Sequence, residues 1–252
     1  MSKKIFSLIL SDLVAAKERD PAARNFVEVF FTYPGFHSML FHRICHFLWN
    51  IKLKFFSRII SYFSRIITSI EIHPAASIGS GFFIDHGAGL VIGETSKVGN
   101  NVTIYQQATL GGIAPSINSN SQKELKRHPT IGDNVIIGSG AQILGPVTIG
   151  KNSRIGANAV VLNDVPEDTT FVGIPARKLE SNKNDAHFNP YGISKGKIDD
   201  PNKKSIQALY KEIYELSEKV LELQSKLNQF YGKNGNFNVD IKKNRIKRSV
   251  KE

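Results

Sequence analysis

Residues 131–161 read IGDNVIIGSGAQILGPVTIGKNSRIGANAVV, with an aliphatic side chain at every sixth position: Ile131, Ile137, Ile143, Ile149, Ile155 and Val161. Six matches neither the 3.6-residue turn of an α-helix nor the 3.5-residue seam of a coiled coil. Toward the amino terminus the same period runs through Ile72, Ile78, Ile84 and Leu90, slips by two residues, and resumes at Ile92, Val98, Ile104 and Leu110. Glycine follows the aliphatic at Gly79, Gly93, Gly99, Gly132, Gly138, Gly150 and Gly156, and small residues recur four positions after it, as at Ala76, Ala88, Ser96, Ala141, Ser153 and Ala159. A chain that points one aliphatic inward every six residues and turns at small ones predicts a triangular parallel β-helix, three hexapeptides or about 18 residues per coil. Coils then stack at the strand spacing of ~4.8 Å, with Gly and Asn supplying turn conformations at φ > 0.

Residues 111–130 break the period in mid-solenoid and end in Lys126-Arg127-His128-Pro129, which predicts a loop thrown outward from a rigid scaffold, a common place for binding groups. Before residue 70 the hexad is absent. Phe6, Leu8, Ile9 and Leu13, then Phe36, Leu40, Phe41, Ile44, Phe47 and Leu48, recur at helical intervals, so a helical domain is expected to cap the first coil and its unpaired strand edge. After a polar stretch containing Pro190, Gly192, Gly196 and Pro201, the residues Ile206, Leu209, Ile213, Leu216, Val220, Leu223, Leu227 and Phe230 alternate gaps of three and four, the seam of a coiled coil. The expected organisation is α+β: helical domain 1–70, β-helix 71–178 with its excursion at 111–130, linker 179–202, coiled-coil helix 203–232 and a basic tail 233–252.

The chain has 252 residues, 41% of them hydrophobic, enough for a buried core. One cysteine, Cys45, excludes an internal disulfide framework, a four-thiolate zinc site and a CxxC redox pair, and suits a reducing cytoplasm. Asp12, Lys17, Glu18, Arg19 and Asp20 interrupt the amino terminus before a signal-peptide pattern forms, so no export is expected. The most apolar stretch, 55–72, carries Arg58, Arg65, Ser57, Ser61 and Ser64 and reads as an amphipathic helix rather than a membrane span. Much of the net charge of +11 sits in the last eleven residues, with no aromatic among them to stack bases. That pattern reads as a solvated tail and predicts neither a nucleic-acid nor a membrane partner.

Along the repeat, His73, Asp85, His86 and Glu94 stand out, because polar groups on a β-helix face outward at its corners. An imidazole can take a hydroxyl proton at neutral pH while a neighbouring carboxylate holds its tautomer, which makes Asp85-His86 the sharpest pair. Glu71 lies fifteen residues upstream, nearly one coil away, and spacing alone leaves its contact with His86 open. Three histidines could ligate zinc, but no tight histidine spacing accompanies them, and His73 before Pro74 reads as structural. No GxxxxGK[ST] loop or GxGxxG fingerprint occurs, and Ser139-Gly140 lacks a GxSxG elbow.

The ordered set Glu71-Ile-His-Pro-Ala-Ala76, Phe83-Ile-Asp-His-Gly87, Val91-Ile-Gly-Glu-Thr95, Thr109-Leu-Gly-Gly112, Arg127-His-Pro-Thr-Ile131 and Val172-Gly-Ile-Pro-Ala-Arg177 resembles the serine O-acetyltransferases of the hexapeptide-repeat acyltransferase superfamily. Arg19-Asp20-Pro21-Ala22 and Gly35-Phe36-His37 extend the resemblance into the helical region. It implies a left-handed β-helix and acetyl transfer from acetyl-CoA to L-serine, without a metal, giving O-acetyl-L-serine for cysteine synthesis. His86 then matches the general base and Glu71 the carboxylate partner of that base, where the family often has Asp. Asp20, Asp85, Arg127 and His128 match positions that hold the amino acid, and Gly112, Ser139, Gly140, Arg154 and Ala157 match positions along the CoA groove. The resemblance also implies L-cysteine as a feedback inhibitor, and a homotrimer or dimer of trimers with the active site between neighbouring subunits, so a three-stranded coil is expected for the C-terminal seam. Two departures stand out: the excursion is longer than the family's short Gly-rich version, and the sequence ends Val250-Lys251-Glu252 rather than in the terminal isoleucine that some members insert into a sulfhydrylase partner, which argues against a cysteine synthase complex. Two other readings share the repeat: an O-acetyltransferase for a sugar or antibiotic hydroxyl, and a non-catalytic trimeric scaffold.

Overall fold

The computed structural model describes residues 2–112, 125–179 and 201–231. Four helices come first: α1 (Ser2–Arg19), α2 (Phe26–Thr32), α3 (Pro34–Asn50) and α4 (Lys54–Thr68). Asn25 caps α2 by accepting from the Glu28 amide, and Pro34 opens α3 with its fixed φ. Fifteen short strands then run from β1 (Glu71–Ile72) to β15 (Arg177–Lys178). They form three faces: β1, β4 (Val91–Ile92), β7 (Thr109–Gly111), β10 (Gln142–Leu144) and β13 (Val160–Val161) in order on the first; β11 (Thr148–Ile149), β8 (Thr130–Ile131), β5 (Lys97–Val98) and β2 (Ser77–Ile78) on the second; and β15, β14 (Thr170–Val172), β12 (Arg154–Ile155), β9 (Ile136–Ile137), β6 (Thr103–Tyr105) and β3 (Phe83–Asp85) on the third. Every pairing is parallel except β14 (Thr170–Val172) with β15, as a chain winding round a three-sided prism requires. Sixfold-spaced residues such as Ile92, Ile104, Ile137, Ile143 and Ile149 stack inside with no exposed surface.

Register exposes two insertions into that winding, besides a shortening in the last coil, where Arg154 pairs with Thr170 at an offset of 16. Asp85 on β3 (Phe83–Asp85) pairs with Tyr105 on β6 (Thr103–Tyr105), an offset of 20 residues, whereas Val91 on β4 (Val91–Ile92) pairs with Thr109 on β7 (Thr109–Gly111), an offset of 18. The slip seen in the sequence is therefore a two-residue insertion between Asp85 and Val91. A larger one follows β7: Lys97 on β5 (Lys97–Val98) pairs with Thr130 on β8 (Thr130–Ile131), an offset of 33. Residues 113–124 of the expected excursion, most of the linker, and the basic tail lie outside the described residues.

Helices α1–α4 and the solenoid form one compact unit. Its clasp is the pair Asp12–Arg43, both side chains almost fully buried, with Arg43 Nε donating to Asp12 Oδ2 at 3.0 Å and Nη2 to Oδ1 at 3.1 Å. Arg43 also donates to the Ile78 carbonyl at 2.6 Å, and Asp12 accepts from the Phe82 amide at 3.0 Å. Burial pushes the Asp12 carboxyl up, and the Arg43 guanidinium and the backbone amides of Phe82 and Gly81 offset part of that cost.

Helix α4 is amphipathic with its faces reversed. Ser57, Ser64 and Thr68 are buried while Phe55, Phe56, Ile59, Tyr62, Phe63, Ile66 and Ile67 face outward. Small hydroxyls let α4 lie close to its neighbours, Ser57 Oγ donating to the Cys45 carbonyl at 2.7 Å and Ser61 Oγ to the Ile72 carbonyl at 3.1 Å. Among the described residues no helix is long and apolar enough to cross a membrane. A second unit holds α5 (Pro201–Tyr231), where Ile206, Leu209, Ile213, Leu216, Val220, Leu223 and Leu227 are all exposed; the side chain of Phe230 lies outside the described residues.

Two predictions follow from this packing. Arg43→Met leaves the Asp12 charge buried and unpaired, and costs about 3–5 kcal/mol in urea unfolding at fixed protein concentration, whereas Asp12→Leu with Arg43→Met recovers most of that loss; a single variant as stable as the parent contradicts the clasp. Stability also falls as pH drops below ~6.5, the ordinary histidine value, because burial holds His42 well below that value and His73 at about 4. Between those limits the unfolded chain binds protons that the folded chain refuses, so the melting temperature declines from pH 7 to pH 5, and His42→Phe makes the decline shallower.

Candidate functional site

The two-residue insertion carries His86. Its backbone adopts φ 59°, a left-handed conformation uncommon outside glycine, and its ring stands out from the solenoid with 77% of the side chain exposed. His86 Nε2 lies 3.8 Å from Asp85 Oδ1. Burial raises the Asp85 carboxyl; the His86 charge opposes the rise and the Asp20 charge adds to it. The structure thus places Asp20, from the end of α1, in the electrostatic field of the Asp85-His86 corner.

Asp20 arrives there by a strap. Arg19 Nη1 donates to the Asn101 carbonyl and to Thr103 Oγ1, both at 3.2 Å, tying the last turn of α1 to the second coil. Asp20 Oδ1 accepts from the Ala22 amide at 2.7 Å and Oδ2 from the Tyr33 hydroxyl at 2.6 Å. Gly35 completes the approach, since a Cβ there would collide with the backbone carbonyl of Ile84, one residue before Asp85. Tyr105, in register with Asp85 one coil on, has its hydroxyl pKa raised by burial and by the charges of Asp85 and Asp20.

Arg127 and His128 occupy a different corner, beyond the far end of β4. Arg127 Nη2 pairs with Glu94 Oε2, and Arg127 Nε is buried with no partner among the described residues. Thr95 Oγ1 accepts from the amides of Arg127 at 2.9 Å and His128 at 3.0 Å. It lies 2.9 Å from His128 Nδ1, which also accepts from the Thr95 amide at 3.2 Å. With its lone pair at Nδ1, a neutral His128 carries its proton at Nε2, and burial together with the Arg127 charge favours that neutral form. The ring lies against Gly93, where any Cβ would strike it.

Glu71 opens β1, in register with Val91 of the next coil, and its carboxylate pairs with Arg65 of α4 at 2.9 Å rather than with His86. The reason is local: α4 ends just before β1 and delivers a guanidinium first. Ser139, Gly140 and Ala157 stack on later coils along the same corner as His86; the Gly140 amide donates to the Gln106 carbonyl at 2.9 Å and the Asn158 amide to the Ser139 carbonyl at 2.8 Å. Arg154 lies on the six-stranded face, in register with Ile136 and Thr170, its pKa lowered by burial. Gly112 is exposed just beyond β7, toward the Arg127 corner. His73 is structural, with Nδ1 accepting from the Ala75 amide and its ring edge-on to Trp49. Among the described residues no three His, Cys, Asp or Glu side chains converge as a metal site would require.

Sequence reasoning missed Tyr33, Tyr105 and the role of Thr95. A coil offset of 20 would have found Tyr105 opposite Asp85. Tyr33 had only its place two residues before Gly35, and Thr95 its place at the end of a quoted motif.

The parallel solenoid of hexapeptides is that of the hexapeptide-repeat transferases, and the family model described as "Bacterial transferase hexapeptide (six repeats)" matches residues 128–163. That described as "Serine acetyltransferase, N-terminal" matches residues 1–40. The serine acetyltransferase of Bacillus subtilis (strain 168) is 42% identical over 224 residues, covering 89% of this chain and 99% of its own length. Soybean serine acetyltransferase complexed with serine is 41% identical with a TM-score of 0.65, covering 70% of each chain. A serine acetyltransferase in complex with CoA matches at 39% identity and a TM-score of 0.63, again over 70% of each chain, and one in complex with cysteine at 39% and 0.66, over 71% of each. The chain belongs to the serine acetyltransferase family.

Proposed function

We propose that this chain transfers the acetyl group of acetyl-CoA to the hydroxyl of L-serine, releasing O-acetyl-L-serine and CoA, as the first step of cysteine biosynthesis in the cytoplasm. The observation that carries the reading is the corner itself: an exposed imidazole with a carboxylate 3.8 Å away and the Asp20 carboxylate, held from α1, acting on the same site.

The chemistry follows from these groups. His86 takes the proton of the serine hydroxyl as its oxygen attacks the thioester carbonyl, and the imidazolium returns that proton to the departing thiolate, so no net proton is exchanged. Asp85 stabilises the imidazolium, and Glu71 at the start of β1 is a second carboxylate that can do so on leaving Arg65. The serine ammonium is matched to Asp20 and Asp85. Its carboxylate is matched to Arg127, whose buried Nε lacks an acceptor among the described residues, and to the Nε2–H of His128. Small residues at Ser139, Gly140 and Ala157 leave the His86 corner open to a pantetheine arm, with Gly112 at the mouth of the excursion and Arg154 a cation matched to phosphate.

His86 and Arg127 stand at opposite ends of the β4 face, so one serine engages both only between two copies of the chain. The reading therefore includes a homotrimer, or trimers paired, with the exposed C-terminal seam joining three strands. L-Cysteine carries the same ammonium and carboxylate as serine and fits the same pocket as an inhibitor.

The test is free-thiol release from acetyl-CoA by purified protein, with L-serine, with a sugar acceptor and with none. Serine-dependent release is expected, lost by roughly 10²–10⁴-fold in His86→Ala, the range of general-base catalysis. Asp20→Asn and Arg127→Ala are expected to raise the KM for serine. Turnover of sugar but not serine moves the substrate to a neutral hydroxyl, and inactivity with every acceptor leaves the scaffold reading.

A further inference from the structure

Asp20 and Asp85 are two carboxylates of like charge acting on one corner, and the Asp20 charge adds to the rise that burial causes in the Asp85 carboxyl. A carboxylate that is to receive an ammonium there must be held in one rotamer, or it swings out to water. Both oxygens of Asp20 are in fact held: Oδ1 by the Ala22 amide at 2.7 Å, within a turn fixed by Pro21, and Oδ2 by the Tyr33 hydroxyl at 2.6 Å. The first bond is local and comes with the turn. The second crosses thirteen residues and joins α1 to the start of α3.

Tyr33 is itself well fixed. Its ring packs against the cluster of Ala15, Ala16, Ala23, Val29, Phe36 and Phe83, and Gly35, two residues on, sits against the Ile84 carbonyl. The hydroxyl is pushed up to about 12 by burial, by the bond to Asp20 and by the charges of Asp20, Glu28 and Asp85, so it remains a donor at any pH where serine is a substrate. Each Asp20 oxygen keeps a second lone pair free to accept from an ammonium.

We infer that Tyr33 is a positioning residue for substrate: its hydroxyl fixes the Asp20 carboxylate so that this carboxylate meets the serine ammonium beside Asp85-His86. The inference rests on the functional reading above and adds a residue to it. Because the hydroxyl acts through Asp20 and not on the reacting atoms, its removal weakens serine binding and leaves the acetyl-transfer step alone.

The experiment is a double-mutant cycle on the full chain: parent, Tyr33→Phe, Asp20→Asn and the combination, with KM for serine, KM for acetyl-CoA and kcat measured for each, and serine affinity measured by calorimetry without acetyl-CoA. Tyr33→Phe is expected to raise the serine KM and Kd on the order of 10-fold, the size of one hydrogen bond to a charged group, with kcat within about twofold and the acetyl-CoA KM unchanged. In the Asp20→Asn background the same change is expected to have no further effect. The inference is overturned if Tyr33→Phe leaves serine affinity at the parental value, if it lowers kcat and both affinities together as a merely structural residue would, or if its effect adds in full to that of Asp20→Asn. A parent protein that turns over no serine overturns the functional reading and this inference with it; a parent active on serine with a silent Tyr33→Phe overturns this inference alone.

Discussion

Each coil of the solenoid must set its inward aliphatic side chain on that of the coil below, and this stacking constrains everything else in the molecule. Ile84 stacks on Ile104, Ile92 on Leu110, and Ile137 between Ile104 and Ile155 in the pairing ladder. A packed column of this kind has no room for an added residue, since one residue more within a strand would turn the inward set outward. Insertions are therefore expelled at the corners, where the chain already turns. Two such expulsions exist, one of two residues before β4 and one long one before β8. The first carries His86. The second ends in Arg127 and His128. His86, Arg127 and His128 thus stand where the register is broken, while Asp85 stays paired within the ladder beside the first break.

The helices meet this scaffold through polar clasps as well as through shared apolar contacts, Phe83 packing with Ala15, Ala16, Val29 and Phe36, and Met39 joining the solenoid core. Arg43 and Asp12 bind the first coil from within a buried pocket, Arg19 binds the second, and Gly35 allows α3 to touch the carbonyl of Ile84. Buried ion pairs add little net stability compared with apolar contacts but penalise misplacement heavily. The consequence is geometric: the end of α1 cannot shift along the prism, and Asp20 is delivered to one corner and one coil. Helix α4 follows the same logic, turning serines inward for close approach and leaving its phenylalanines and isoleucines outside.

Much of this was legible in the sequence, for identifiable reasons. The hexad is visible because the interior of a β-helix accepts one residue type at one spacing, and the slip after Leu90 marks the very insertion that exposes His86. Asp85-His86 is visible because the two residues are adjacent. What stayed hidden depends on where helices dock. Nothing in the order of residues says that Tyr33 reaches Asp20, that Thr95 gathers Arg127 and His128, or that Arg65 takes Glu71 away from His86. The amphipathic pattern of residues 55–72 was plain, yet its direction was not, because periodicity records which residues share a face and not what that face meets.

The proposed serine site needs His86 from one copy of the chain and Arg127 from another. Mixing two inactive variants tests it most directly. His86→Ala and Arg127→Ala proteins are unfolded together, refolded as a mixture, and assayed for serine-dependent thiol release. The account predicts that activity reappears in the mixture, because some assemblies pair an intact His86 from one copy with an intact Arg127 from another. A mixture that incorporates both variants into common oligomers and remains as inactive as either variant alone would contradict it.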